Sequence, residues 1–326
     1  MLFIENPHQD PYFNLAAEEY FLKHLDTEIA MLWRSKASII IGKHQNALAE
    51  VNLSYVIKNN IPVVRRLSGG GTVFHDLGNI NFSFIRYAEK EKMVDFQAHT
   101  KPVIDFLQSL GVQARFEGKN DLRVNGLKIS GNAEHIHRNK VLHHGTLLFD
   151  ADLHQLNQAI KGKEKKFQSK AIKSVRSDVT NISSLINPQM SREKFLDNFT
   201  KFLFQYFAEM EAYQLQEEDL KIIEAIRLEK YSQWDWNYGY SPGYTFVNSG
   251  RLNNVKISVR LHIKKGKCES HEVSINQILL PHDHPLAHDL KGIFHRPEQI
   301  DAILSQHNFL NYNFLPDKWK LLGLFF

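Results

Sequence analysis

The sequence predicts an α+β protein in two parts, a large domain over residues 1–243 and a small α+β domain over residues 244–326. Three observations point there. Short apolar runs of strand length alternate with stretches whose apolar residues recur at helical spacing. Asn125-Gly126 lies between two apolar-rich arms, the strongest short-range signal for a two-residue hairpin. Tyr240-Ser241-Pro242-Gly243 is a turn-rich break, and about eighty residues, an ordinary domain size, follow it.

The elements follow in chain order. Leu2 to Ile4 reads as a short strand, and Pro11-Tyr12-Phe13-Asn14 leads into a helix with Phe13, Ala16, Ala17, Tyr20 and Phe21 at helical spacing. Glu18 and Glu19 fall inside that helix. Ile29 to Trp33 and Ser38 to Ile41 read as buried strands, the second ended by Gly42. Leu53 to Asn59 is helical, Pro62 to Arg65 a strand, and Asn81 to Ile85 a strand with Phe82 and Phe84 on one face. A long helix is expected from Phe96 to Leu110, stopped by Gly111. Val112 to Phe116 is a strand, Leu122 to Ile129 the Asn-Gly hairpin, and Ala133 to Phe149 a second hairpin around Arg138-Asn139. Leu153 to Ile160 is helical. The basic run Lys161 to Lys173, with Lys163, Lys165, Lys166 and Lys170, reads as an exposed loop. Ser191 caps a helix to about Glu209, and another runs to about Lys230. In the small domain, Tyr244 to Asn248, Val255 to Lys264 and Glu269 to Ile275 are strands, and helices start at Pro285 and Pro297.

Bulk properties exclude several classes. With 43% apolar and 23% charged residues the chain is of ordinary globular composition. Forty basic against 36 acidic residues supply no dense basic face, which argues against a nucleic-acid binder. The single cysteine, Cys268, forbids an internal disulfide and fits a reducing cytoplasm. The N-terminus turns polar too soon for a signal peptide, and no run is apolar enough to span a bilayer.

The stretch richest in chemistry is Arg65-Arg66-Leu67-Ser68-Gly69-Gly70-Gly71-Thr72-Val73-Phe74-His75-Asp76. Consecutive glycines let backbone lie against a ligand, and successive N–H groups in such a turn can meet an anion. Two guanidinium groups beside it suit phosphate or carboxylate. The stretch is neither a Walker loop, since no Gly-Lys-Ser/Thr follows, nor a Gly-x-Gly-x-x-Gly fingerprint. Lys128 stands on the second hairpin arm before Ile129-Ser130-Gly131, where a compact ammonium can face a groove. Asn120-Asp121 places a carboxylate near it, suited to a hard cation carrying substrate phosphates. His135-x-His137 and His143-His144 are conceivable zinc ligands, but no cysteine or nearby acidic cluster accompanies them, so a metal centre there is not the favoured reading. Cys268, in Lys265-Gly266-Lys267-Cys268, falls on a turn expected to be exposed.

Residues 65–79, which continue Leu77-Gly78-Asn79, resemble the signature of lipoate–protein ligase A. Pro11 to Glu19, Leu32-Trp33-Arg34, Lys119-Asn120-Asp121-Leu122, Lys128 to Ala133, His143 to Leu148 and Ser174-Val175-Arg176-Ser177 extend the resemblance in order over about residues 1–240. It implies the biotin/lipoate ligase fold, with a large mixed-sheet catalytic domain and a C-terminal accessory domain acting as a lid. It implies activation of free lipoate by ATP with Mg2+ to lipoyl-AMP, pyrophosphate release, and transfer to a lysine of a lipoyl-carrier domain. Expected carriers are the E2 subunits of 2-oxoacid dehydrogenases and the glycine cleavage H protein. Carried over by motif, Lys128 binds the lipoate carboxylate and α-phosphate, while Arg66, Gly71, Thr72, Val73 and Phe74 line the adenylate. Trp33, Ile40, Phe74, Ser68, Gly70 and His75 are expected around the lipoate, and Asp121 at the Mg2+ or nucleotide. Thr72 departs from the alanine frequent at that place in the family. Rival readings are an octanoyl or lipoyl relay amidotransferase, for which the only cysteine lies in the tail, a biotin–protein ligase, whose Gly-Arg-Gly-Arg motif is missing, and a non-catalytic carrier-binding homologue.

Overall fold

In the computed structural model, which describes residues 1–88, 94–160, 166–252, 254–281 and 283–326, the short apolar runs become strands. In chain order they are β1 (Leu2–Glu5), β2 (Ile29–Trp33), β3 (Ser38–Ile41), β4 (Val63–Arg65), β5 (Val73–His75), β6 (Asn79–Tyr87), β7 (Arg115–Glu117), β8 (Asp121–Val124), β9 (Leu127–His137), β10 (Lys140–Leu148), β11 (Phe167–Ser169), β12 (Glu211–Gln214), β13 (Tyr244–Leu252), β14 (Val255–Lys264), β15 (Lys267–Ile275) and β16 (Ile278–Leu279). The helices are α1 (Pro11–His24), α2 (Ala47–Glu50), α3 (Leu53–Lys58), α4 (Phe96–Ser109), α5 (Leu153–Ala159), α6 (Arg192–Tyr206), α7 (Glu217–Ile226), α8 (Pro285–Leu290), α9 (Pro297–Gln306) and α10 (Trp319–Leu322). They fall into two compact units, neither continuous in sequence. Unit 1 takes Met1–Lys43, Asn59–Ile160 and Ser174–Gln233; unit 2 takes His44–Lys58, Lys161–Lys173 and Trp234–Phe326.

Unit 1 is built on a mixed sheet of order β12-β1-β2-β6-β10-β9-β8-β7, with β1 parallel to both β12 and β2 and the remaining pairs antiparallel. A smaller sheet, β4-β3-β5, carries the arginine pair and the end of the glycine stretch. The core holds Phe82, Phe84, Phe106, Phe195 and Phe199 among others, with α4 and α6 supplying the last three. Phe106 and Phe199 stack with centroids 4.4 Å apart. The α1 helix is buried from Phe13 to Leu22, including Asn14, Glu18 and Glu19. A helix buried all round must partner its polar groups internally, and Asn14 Nδ2 accordingly donates to His8 O, Arg34 O and Ser35 Oγ.

The Asn-Gly hairpin forms as expected, with Asn125 at φ 51° and Gly126 at φ 78°. Both central residues in the left-handed region define the turn that matches strand twist. Its second arm continues through the region expected as a separate strand, making β9 eleven residues long. Val112 and Gln113 are not extended into β7, which begins at Arg115. Neither β5 nor β12 is apparent from the sequence; β12 is short and largely exposed and pairs with β1.

Unit 2 holds the sheet β11-β13-β14-β15-β16 with an apolar core of strand and helix side chains, among them Phe246, Leu261, Leu286 and Phe325. Part of the basic run expected as an exposed loop is structured. Phe167 is buried and its strand pairs antiparallel with β13. Lys163 and Lys165 lie outside the described residues. Cys268 is also corrected: the turn is Lys265-Gly266, and the cysteine itself is buried on β15. Among the described residues, no helix is long and apolar enough to cross a membrane.

Candidate active site

Both arginines of the glycine stretch are buried, and both grip backbone. Arg65 Nη1 donates to Gly42 O and Lys43 O, each at 3.0 Å. Arg66 Nε donates to Ser68 Oγ (3.0 Å), Nη1 to Ile40 O (3.2 Å), and Nη2 to Gly69 O (2.6 Å) and Gly71 O (2.7 Å). In a trans peptide the carbonyl of one residue and the N–H of the next point opposite ways. By holding the carbonyls of Gly69 and Gly71, Arg66 turns the N–H groups of Gly70 and Thr72 away from itself. Thr72 N–H bears this out by donating to Ser174 Oγ at 2.8 Å. Gly70 has φ 87°, and a Cβ there would meet Arg66 Nη2 at 3.0 Å, so glycine is required on both counts. Burial lowers the Arg66 pKa to about 10, with the Glu18 carboxylate acting the other way, so the group stays charged at neutral pH.

Behind the loop runs a closed chain of hydrogen bonds. Glu18 Oε1 lies 2.9 Å from His144 Nδ1 and accepts from Ser83 Oγ at 2.6 Å. Ser83 Oγ accepts from Trp33 Nε1 at 2.9 Å. His144 Nε2 lies 2.6 Å from Ser68 Oγ, which accepts from Arg66 Nε. The carboxylate can only accept, so His144 donates to it from Nδ1, and Arg66 Nε–H donates to Ser68 Oγ. Glu18 was legible only as a polar residue inside an apolar helix; its reach to residue 144 is a product of the fold.

Lys128 sits at the start of β9. Its Nζ is 2.8 Å from Asp121 Oδ1, and Arg123 Nη2 is 2.8 Å from Asp121 Oδ2. Asp121 and Gly131 are cross-strand partners, and a Cβ at Gly131 would lie 3.0 Å from Lys128 Nζ. The Lys-Ile-Ser-Gly spacing thus leaves room for the lysine to fold back along its own strand. Of its two neighbours, Ile129 is buried but Leu127 is partly exposed. The segment from Ser174 to Thr180 borders this lysine: Lys128 N–H donates to Asp178 O, and Thr180 N–H to Lys128 O. Arg123 Nη2 donates to Ser177 Oγ at 3.1 Å. The same segment therefore touches the glycine loop at Ser174 and Lys128 at Val179.

The remaining expected residues lie in unit 1 as well. Trp33, Ile40, Ser68, Thr72, Phe74 and His75 are buried, whereas Gly71 and Val73 are half-buried. Among the described residues, both ring nitrogens of His75 lack a hydrogen-bond partner, as do Asn79 Oδ1, Asn81 Nδ2 and Asn132 Oδ1. Burial, with Arg66 and His144 adding to it, pushes His75 down to about 3, so it is neutral. Register puts Asn81 opposite Trp33 and Thr146, and Asn132 opposite Gly145. An unpaired buried polar atom costs about 1–3 kcal/mol; Asn81 lies on the face of His144 and the glycine loop, Asn132 on the opposite one. Both oxygens of Asp121, the carboxylate expected at the Mg2+ or nucleotide, face cations, Arg123 and Lys128. Cys268 lies in unit 2, buried on β15, and burial pushes its thiol up to about 12.

The family model of the lipoyl protein ligase A/B catalytic domain matches residues 10–204. The chain belongs to that family. It is 45% identical over 274 residues to lipoate-protein ligase LplJ of Bacillus subtilis, covering 82% of this chain and 83% of that protein. It is 39% identical over 327 residues to lipoate–protein ligase 1 of Staphylococcus aureus, covering 99% of each. Among solved structures, a lipoate-protein ligase A bound with ATP aligns at 25% identity and TM-score 0.63, over 73% of this chain and 98% of that one. The putative lipoate protein ligase Ta0514 of Thermoplasma acidophilum with bound lipoic acid aligns at 25% and TM-score 0.62, over 73% and 98%. A structure of an archaeal lipoylation system, a bi-partite lipoate protein ligase and its E2 lipoyl domain from the same organism, aligns at 26% and TM-score 0.63, over 73% and 96%.

Proposed function

We propose that the protein is an ATP-dependent lipoate–protein ligase whose chemistry is carried by unit 1, with unit 2 as the accessory domain. The observation that carries this reading is the Lys128–Asp121 pair on adjacent strands, linked through Ser174–Thr180 to a glycine loop whose carbonyls Arg66 holds. In the first step a lipoate carboxylate oxygen bonds to the α-phosphorus, the bond to the bridging oxygen breaks, and pyrophosphate leaves with the electron pair. The Lys128 ammonium is held where it pairs with the carboxylate and with charge growing on the α-phosphoryl oxygens. The Gly70 N–H, turned outward by Arg66, adds a donor without reorganisation. In the second step the ε-amine of a carrier lysine attacks the acyl carbon, AMP leaves and the amine loses a proton. No enzyme-bound acyl group forms, consistent with the position of Cys268. Mg2+, when bound with ATP, neutralises phosphate charge, and Asp121 would hold it. The buried faces of Trp33, Ile40 and Phe74 suit the aliphatic part of lipoate, and Ser68, Gly70 and His75 its surroundings.

The acceptors in this reading are apo lipoyl domains of E2 subunits and the glycine cleavage H protein, reached in the cytoplasm. Pyrophosphate release from lipoate, ATP and Mg2+ tests the first step. Wild type should release it and Lys128→Met should not, at unchanged circular dichroism. Equal release by a folded Lys128→Met protein would overturn the assignment.

A further inference from the structure

We propose that His99, Glu134 and His143 form a binding site for a divalent transition-metal ion of the zinc class. The site lies on the face of the large sheet opposite the glycine loop. Successive strand residues point to opposite faces, so His144 reaches Ser68 while His143 turns the other way, beneath α4. His143 and Glu134 are direct cross-strand partners on β10 and β9, and His99 enters from α4. Both Nδ1 atoms lie 2.9 Å from the same oxygen, Glu134 Oε1. One potential ligand atom from each residue lies within 4.8 Å of the others.

Charge and saturation both favour a cation. The Glu134 carboxylate is held between the two imidazoles. The side chains of Glu134 and His143 are 3% and 0% exposed, so little solvent offsets that charge. Among the described residues, Glu134 Oε2 and His143 Nε2 have no hydrogen-bond partner. Two imidazole nitrogens and one carboxylate oxygen suit zinc, with bonds of about 2.0–2.2 Å and a fourth position left for water. A tetrahedral set at that bond length separates its ligand atoms by about 3.3–3.6 Å, so each 2.9 Å N···O contact opens by a few tenths and the two ring nitrogens settle to the same spacing from within 4.8 Å. The ion takes both Nδ1 lone pairs once each ring moves its proton to Nε2, so no proton need be released. Its consequence is structural: it ties α4 to the two strands that carry Lys128 and His144 on their other face.

The test uses the full chain freed of metal by chelation, then dialysed against Zn2+, with Co2+ as an optical probe. Wild type should bind one equivalent of Zn2+, gain thermal stability, and show the visible bands of four-coordinate Co2+. His99→Ala, at a partly exposed helix position, and Glu134→Gln, which keeps the shape, should each weaken binding by about 100-fold. Substoichiometric uptake by wild type would overturn the proposal. Uptake equal in wild type and His99→Ala would also do so, since it would place the metal on surface histidines. This inference does not depend on the ligase reading, because its readouts are metal content and stability.

Discussion

Buried charge is distributed unevenly between the two units. Unit 1 buries Arg65, Arg66, Glu18, Glu19, Lys140 and Asp219, and each of them has hydrogen-bond or ion-pair partners. Unit 2 has an apolar core, and among the described residues its buried polar side chains are Gln45, Asn46, Glu50, Asn237, Ser241 and His295. Removing charge from water costs several kcal/mol per ion unless hydrogen bonds replace hydration. A fold that keeps so many of them in one unit uses them to fix geometry. In unit 1 the fixed objects are a loop and a lysine; in unit 2 the packing is that of an ordinary sheet-and-helix core.

Substitutions separate the two kinds of interior. The largest loss of activity is expected from Lys128→Ala, about 100- to 1000-fold in adenylation, the usual worth of a single preorganised donor at developing charge. Its Tm should change little, since Asp121 keeps Arg123; a large fall in Tm would make the lysine structural. Next is Arg66→Met, which removes four hydrogen bonds from a buried guanidinium and should cost about 3–5 kcal/mol, read by urea unfolding. Glu18→Gln should cost about 1–3 kcal/mol, because an amide cannot accept from both His144 and Ser83 on one oxygen without misplacing its own N–H groups. If Glu18→Gln is neutral, the closed chain behind the loop is not what positions it.

Unit 2 supplies the contrasting test. His295 Nδ1 is 2.7 Å from Tyr244 Oη and its Nε2 faces Phe325 O, so the ring is held neutral, and burial pushes its pKa down to about 4. The unfolded ring takes a proton near pH 6.5, the folded one only near 4, so the unfolded state binds more protons between these values. Stability is therefore full above about pH 6.5 and falls as pH drops toward 4, by about 2 kcal/mol between pH 7 and 5. Tryptophan emission is a suitable probe, since Trp234, Trp236 and Trp319 lie in unit 2 and only Trp33 in unit 1. A flat response over that range would mean His295 is not the buried neutral ring described. The smallest effect on activity is expected for Cys268→Ser, unchanged adenylation and transfer with a modest loss of stability; a large loss of rate would restore a thioester intermediate.

Much of this was legible from local sequence. Asn125-Gly126 could be read as a turn because left-handed backbone angles have a residue signature. The apolar runs of β2, β3 and β14 could be read because burial on both faces, or alternation, shows in composition. The motif residues from Arg65 to Asn79 and Lys128 to Ala133 were recognisable by resemblance. What the sequence hides is long-range. Arg66 looks like an anion ligand in a linear reading, yet its bonded N–H groups point at carbonyls of Ile40, Gly69 and Gly71. Phe167 looks like one apolar residue in a basic loop until β13 is there to pair with it. The two adjacent histidines looked equivalent, and only the pleat sends His144 to Glu18 and His143 to Glu134. No acidic residue near them in sequence advertised the helix residue His99, which closes that cluster.

The central claim is that unit 1 is built to activate a carboxylate with ATP and deliver it to a carrier lysine. The most direct measurement is intact mass of an apo lipoyl domain after incubation with the protein, lipoate, ATP and Mg2+, with ATP omitted in the control. The account predicts a lipoyl increment that needs ATP and is absent with Lys128→Ala. No increment and no pyrophosphate release with a folded wild-type protein would contradict it.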